Sequence, residues 1–190
     1  MAKLPEVEGI VSLYQIPESG DWVKVSESSN QLQWSWGEIA CHLFGSGNPA
    51  FKISAMYIEF ENTALIPSTP AYTREEGVEY YEGLALSGTK DFLRVPLLAE
   101  PSKSVASGYS NINFNRLTFL SQTSGVQGVH GKTFSDSVNS KVYGLALVAT
   151  PSWGDRTQDL IFARKYYLTA EQVAKQASSQ IGVSWVETFK

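Results

Sequence analysis

Apolar and polar residues alternate with a period of two along much of this chain, and that alternation predicts strands. Val11-Ser12-Leu13-Tyr14-Gln15-Ile16 forms one such run. Pro17-Glu18-Ser19-Gly20-Asp21 has the composition of a turn, and Trp22-Val23-Lys24-Val25 returns, so the N-terminus reads as a hairpin. Leu32, Trp34 and Trp36 continue the alternation against Gln31, Gln33 and Ser35. Between Phe51 and Glu61 the apolar positions jump from odd (Phe51, Ile53) to even (Met56, Ile58, Phe60) near Ala55. A one-residue slip would turn the strand inside out, so a bulge is predicted near Ala55.

Further strands are predicted at Phe92–Leu97, Leu117–Leu120, Val142–Thr150 and Leu160–Tyr167, with a terminal one through Ile181, Val183, Trp185 and Phe189. Pro96 cannot donate to a ladder, which places its strand at an edge or ends it there. Val142–Thr150 is apolar on both faces, with Tyr143, Leu145 and Leu147 on one side and Val142, Ala146 and Val148 on the other. That pattern predicts a central strand.

Three capping boxes interrupt the strand pattern and predict short helices. Ser35 with Glu38 precedes Trp36, Ile39, Ala40, Leu43 and Phe44 at helical spacing, and Gly45-Ser46-Gly47 stops the run. Thr73 with Glu76 predicts a helix through Tyr80, Tyr81 and Leu84, its acids placed to complement the helix dipole. Thr169 with Gln172 predicts another through Val173, Ala174 and Ala177. Glu100–Asn113 is Ser-rich, has no period and reads as an exposed loop. The sum is a mainly β protein: a β-sandwich or jelly-roll-like fold with two or three short helices in its connections. No repeat or linker divides it, so residues 1–190 read as a single β-rich domain, with 1–30 as an N-terminal hairpin extension.

Composition narrows the classes. A chain of 190 residues can bury roughly 70% of its unfolded surface and needs no staple. Its single cysteine, Cys41, excludes an intrachain disulfide. Fifteen basic and 19 acidic residues give a net charge of −4, with no basic block, which disfavours nucleic acid. No stretch approaches ~20 apolar residues, so no membrane span is expected, and MAKLPEVEG has no apolar core of a secretory signal.

Gly128–Pro151 holds the feature closest to a chemical motif, Gly131-Lys132-Thr133. A phosphate-binding loop needs four residues between its first glycine and the Gly-Lys pair, but five, Val126 to His130, follow Gly125, so Val126 stands where the glycine is required. Such a loop must also feed a helix. Phe134–Lys141 is Ser/Asn/Asp-rich and leads into a strand, so no nucleotide or other cofactor is expected. His130 and Asp136 can be drawn into a triad with a serine, but 23 serines make such drawings inevitable and no Gly-x-Ser-x-Gly elbow is present. Cys41 and His42 are adjacent on the first helix and point about 100° apart, unsuited to a nucleophile–base pair or to zinc. Glu38 and His42 read as a solvated pair and Cys41 as partly buried packing.

Glu59 and Glu61 share a strand face roughly 6.7 Å apart, a spacing compatible with two-carboxylate glycoside hydrolysis. Neighbours on one face share one environment, however, and acid and base need different ones. A solvated or intersubunit face is the simpler reading. Of the five tryptophans, Trp34, Trp36 and Trp185 occupy apolar positions and read as core. Trp153, in Pro151-Ser152-Trp153-Gly154-Asp155, is the better candidate for an exposed ring that stacks on a glycan.

The blocks MYIEFEN (Met56–Asn62), YYEGLALSGTKDFLRVPL (Tyr80–Leu97), Gly128–Pro151 and SSQIGVSWVETF (Ser178–Phe189) resemble a family of small structural proteins of tailed bacteriophages, especially phages of cyanobacteria and other aquatic bacteria. The resemblance runs from about Trp36 to the C-terminus and carries no catalytic residues. It implies a non-enzymatic virion component, made in the host cytoplasm, at the neck, tail, baseplate, fibre attachment or capsid surface. A homo-oligomer that contacts other virion proteins is expected, since phage parts repeat one heterologous interface. The polar loop Gly125–Lys141 is the candidate contact, through Gly128, His130, Lys132, Phe134, Asp136 and Asn139. Two alternatives are a carbohydrate-binding module using Trp153 against a host-surface glycan, and a hydrolase using Glu59/Glu61 or His130.

Overall fold

The computed structural model describes residues 6–33, 35–45, 52–61, 73–75, 78–81, 92–123, 141–150, 159–174 and 179–190. The chain is mainly β, built as two antiparallel sheets. In chain order the strands are β1 (Val7–Ile16), β2 (Val23–Ser29), β3 (Gln31–Leu32), β4 (Lys52–Glu61), β5 (Thr73–Glu75), β6 (Val78–Tyr81), β7 (Phe92–Pro96), β8 (Ser102–Ser104), β9 (Arg116–Leu120), β10 (Lys141–Thr150), β11 (Asp159–Tyr166), β12 (Val173–Ala174) and β13 (Gln180–Phe189). Helix α1 (Trp36–Gly45) lies between β3 and β4.

The five-stranded sheet runs β2-β1-β13-β9-β8, and the eight-stranded sheet runs β5-β6-β11-β10-β4-β7 with β3 and β12 on β11 and β10. Val11, Leu13, Phe119, Val183 and Trp185 from the first sheet meet Met56, Ile58, Leu145, Leu147 and Phe162 from the second in one buried cluster. This is a sandwich-like arrangement whose inner faces follow the alternation of the strands.

The hairpin at the N-terminus forms as expected, but it does not extend from the body. β1 pairs with β13 along its whole length, from Val7↔Phe189 to Ile16↔Gln180, so it is an inner strand. The chain leaves this sheet at Asn30 and joins the other as β3, opposite Ala163 and Arg164. The expected strand through Trp34 and Trp36 therefore stops after Leu32. Trp36 starts α1 instead, and its amide donates to the Gln33 carbonyl at 3.0 Å. The Ile39 amide donates to the Ser35 carbonyl at 2.9 Å, which marks Ser35 as the residue that opens the helix. Ile39 is buried in the core, and Trp36 meets Phe162 edge-on at 5.1 Å.

Only this one of the three capping boxes opens a helix among the described residues. Thr73–Glu75 is strand β5, paired with β6 as Thr73↔Tyr80, Arg74↔Glu79 and Glu75↔Val78. Val78, Tyr80 and Tyr81 are strand formers, and β6 finds an edge on β11 through Leu160↔Tyr80. The expected Leu84 end lies outside the described residues. At the third box the Glu171 amide donates to the Leu168 carbonyl at 2.7 Å, and the Glu171 carboxylate accepts the Leu168 amide. That contact closes a single turn. Val173–Ala174 then pairs with Lys141–Val142 as β12, and Ala177 lies outside the described residues. The expected loop at residues 100–113 is exposed over most of its length but contains the edge strand β8.

The predicted bulge is present. Val148 opposes Ala55 and Ala149 opposes Ile53, which leaves Ser54 as the extra residue. A second irregularity makes Tyr143 the extra residue of β10, between Val142↔Phe60 and Gly144↔Glu59. This moves Val142 onto the core face with Leu145, Leu147 and Ala149, a correction to the faces read from simple alternation. β10 is a central strand, flanked by β11 and β4, and β7 with its terminal Pro96 is an edge.

Candidate functional site

Two regions concentrate polar chemistry. The first is the face of the eight-stranded sheet turned away from the core. Tyr57 and Glu59 on β4, Arg94 on β7, and Asp159 and Arg164 on β11 point to this side, because their strand neighbours Met56, Ile58, Val95 and Leu160 point to the core. Glu59, Asp159 and Arg164 are each about 2% exposed, and Tyr57 is fully buried. Arg164 Nη2 donates to both Glu59 oxygens, at 2.6 and 2.7 Å. The guanidinium also lies 3.9 Å from the centre of the Tyr166 ring. Gly144 opens the space for the carboxylate, since a Cβ there would sit 3.1 Å from Glu59 Oε2.

Beside it, Tyr57 Oη donates to Asp159 Oδ2 at 2.6 Å, and Arg94 Nε donates to the same oxygen at 2.6 Å. Burial, then the Asp159 charge and hydrogen bond, push the Tyr57 phenol far above its ordinary range. It stays a protonated donor. The expected solvated face for Glu59 is thus corrected: it is a buried, neutralised member of a charge network. The side chain of Glu61 lies outside the described residues. These contacts tie β11 to β4 and β7 across the sheet.

A smaller buried cluster locks the corner of the other sheet. Glu187 on β13 is 1% exposed, and its Oε1 accepts from Asn30 Nδ2 and from Trp185 Nε1, both at 2.7 Å. Its Oε2 has no hydrogen-bond partner among the described residues. Burial raises the Glu187 carboxyl above its usual range, against the lowering effect of those two donors. The folded state therefore holds this proton more tightly than the unfolded chain. The resulting stabilisation is complete below the unfolded value near 4.5 and is lost as pH rises through the higher folded value. Glu187→Gln removes this dependence. Thermal melts from pH 4 to pH 8 are expected to show the difference, variant minus wild type, becoming more positive as pH rises. A pH-independent difference would contradict the assignment.

The second region is a groove of about 520 Å³ on the outer face of the five-stranded sheet. The registers build its floor from aligned rows. Ile10 pairs with Val186, Ser12 with Ser184, and Glu8 with Thr188. Thr188 in turn pairs with Arg116, and Ser12 with Glu27. Tyr14 stands at one end, and Tyr109 with Ala106 and Ser107 forms a wall from the connection after β8. Each carboxylate is matched. Lys190 pairs with Glu8, while Glu27 accepts from Lys24 Nζ at 2.8 Å and from Ser12 Oγ at 3.0 Å. Lys190 holds Glu8 below the usual carboxylate range, and Lys24 followed by Ser12 does so for Glu27.

Next to the groove, Trp22 lies over Gly182, where a Cβ would fall 2.7 Å from the indole, and meets Tyr14 edge-on at 5.2 Å. Trp22 is therefore an exposed aromatic, and Trp185 is core as expected. Trp36 is partly buried against that core, and Trp34 lies outside the described residues.

The interface loop with Gly128, His130, Lys132, Phe134, Asp136 and Asn139 lies outside the described residues, as does Trp153. Cys41 is exposed, which corrects its reading as partly buried, and the side chains of Glu38 and His42 are outside the described set. Among the described residues no group of three or more metal-ligating side chains occurs, and no helix is long and apolar enough to cross a membrane. The groove itself escaped sequence reasoning. Its only linear trace is the outward positions of β1 and β13, and which strands lie beside each other is not written locally.

The fold and these sites define a mainly β, two-sheet antiparallel protein with buried charge pairs and a mixed polar groove. No family model, curated protein or solved structure matches the chain.

Proposed function

We propose that this chain is a non-enzymatic structural protein of a bacteriophage virion, which oligomerises and connects or decorates tail, neck, baseplate or capsid components. The virion setting is supported by the sequence blocks that resemble phage structural proteins. The assembly role is supported by one observation above all, the run of exposed large apolar side chains along residues 97–115. Leu98 is 56% exposed, Phe114 49% and Ile112 43%, and Val105 accompanies them. Apolar side chains gathered on one connection mark a contact surface rather than a random surface. The segment is nonetheless well held: the Leu98 amide donates to the Leu120 carbonyl, and Asn115 accepts from Ala106 and donates to Phe189. A held, apolar segment suits a rigid subunit contact.

The test is the oligomeric state of the purified chain by light scattering, together with mass spectrometry of purified virions. A defined homo-oligomer, or a stable complex with another virion protein, is expected. Leu98→Ser combined with Phe114→Ser should dissociate it while changing stability by no more than about 1 kcal/mol, since both side chains are exposed. A chain that stays monomeric and is absent from virions would overturn the reading.

A further inference from the structure

From the outer face of the five-stranded sheet we infer a binding site for a neutral oligosaccharide, in the groove floored by Ile10, Ser12, Ser184 and Val186 and walled by Tyr14 and Tyr109. The inference does not rest on the virion assignment. It comes from the match between this lining and the two-sided chemistry of a sugar ring, which has an apolar C–H face and a rim of hydroxyls.

The paired Ile10 and Val186 form a narrow apolar strip across β1 and β13. Hydroxyls flank it on both sides, Ser12 and Ser184 along one row and Thr188 along the other. Tyr14 and Tyr109 supply aromatic surface with a polar tip, which suits a ligand that is part apolar and part hydroxyl. Along β1, Glu8 to Tyr14 spans roughly 20 Å, at about 3.3 Å per residue, so the groove accepts several sugar units rather than one. Its volume of about 520 Å³ lies within the ~300–1,000 Å³ typical of small-molecule sites.

Charge selects the neutral class. The lining carries two carboxylates, Glu8 and Glu27, and two cations, Arg116 and Lys190. Both carboxylates are already matched by lysines, and Arg116 Nε reaches Thr188 Oγ1 at 3.4 Å. A cationic ligand would have to break one of these pairs to reach a carboxylate, and an anionic one drawn to Arg116 would meet Glu8 and Glu27 in the same lining. A neutral polyol can instead accept from Arg116 and donate to Glu27 without disturbing the balance. A peptide strand is also a poor fit. β1 and β13 are interior strands whose backbone groups are spent on their neighbours, so the floor offers no edge to add to.

The experiment uses the full chain on an array of neutral hexose and N-acetylhexosamine oligosaccharides, with sialylated and sulfated oligosaccharides alongside. Retention of at least one neutral oligosaccharide is expected. Tyr109→Ala, which removes a wall, and Ser184→Tyr, which fills the floor, should each weaken it at least tenfold. Leu168→Ser, outside the groove and outside the apolar contact surface, should leave it unchanged. Because Ser184→Tyr can disturb folding, amide shift mapping of the wild-type chain with the retained oligosaccharide provides a second reading, with the largest changes expected at Ile10, Ser12, Ser184 and Val186. The inference is overturned if no neutral oligosaccharide is retained, if only the acidic ones are, or if the amide changes map elsewhere.

Discussion

Arg164→Ala is expected to destabilise the protein by about 3–5 kcal/mol, because it removes the guanidinium that neutralises a carboxylate buried with it. Arg164 donates from one nitrogen to both oxygens of Glu59, and both side chains are buried. A charge kept from water without its counter-charge costs far more than the pair contributes when intact. The contrast between variants is therefore the informative result. Replacing both members by apolar side chains of similar length, Glu59→Met with Arg164→Met, should recover most of the loss. Urea or thermal denaturation of the two variants measures this. Equal losses in the single and double variants would show that the interaction is not between these two charges.

The second large effect is expected at Gly9. A Cβ at this position would fall 2.0–2.4 Å from the amide group of Asn30, closer than any real contact allows. Asn30 is where the chain passes from one sheet to the other, and its amide reaches across Gly9 to Glu187. Gly9→Ala must displace that amide, which takes a donor from a carboxylate that has already lost its water. A cost of about 2–4 kcal/mol follows from overpacking plus the broken buried hydrogen bond. Gly9→Ala combined with Asn30→Gly relieves the clash but not the missing donor. It should recover only part of the loss, and full recovery would show that the hydrogen bond contributes nothing.

These two clusters show where linear reading reaches and where it stops. Glu59 can be placed on one strand face with Glu61 from the alternation, and two acids sharing a face point to a solvated or intersubunit one. Nothing local indicates that Arg164, 105 positions away, enters from the strand two places across the sheet. The same holds for Asn30 and Glu187, 157 positions apart. Long-range pairs of this kind give a single residue no pattern to display.

The capping boxes teach the complementary lesson. Ser35, Thr73 and Thr169 present the same local signal, yet only the first opens a helix among the described residues. After Ser35 the apolar positions follow helical spacing and Ile39 reaches the core. After Thr73 and Thr169 the chain meets open strand edges on β11 and β10, and the ladder bonds offered there win over a short helix. A helix of two or three turns is marginal by itself, so a neighbouring edge is enough to reverse it.

By itself, the sequence determined the β character, the strands through Val11–Ile16, the Phe51–Glu61 region, Val142–Thr150 and Ile181–Phe189, the bulge near Ala55 and the central place of β10. All of these rest on a period of two and on apolar content, which are local and repeated along each strand. The tertiary structure alone decided the order of the strands, the buried partners of Glu59, Asp159 and Glu187, and the groove on the outer face. Each of those depends on which distant segments come to lie side by side, and that choice is made by the summed burial of both sheets rather than by any short stretch of chain.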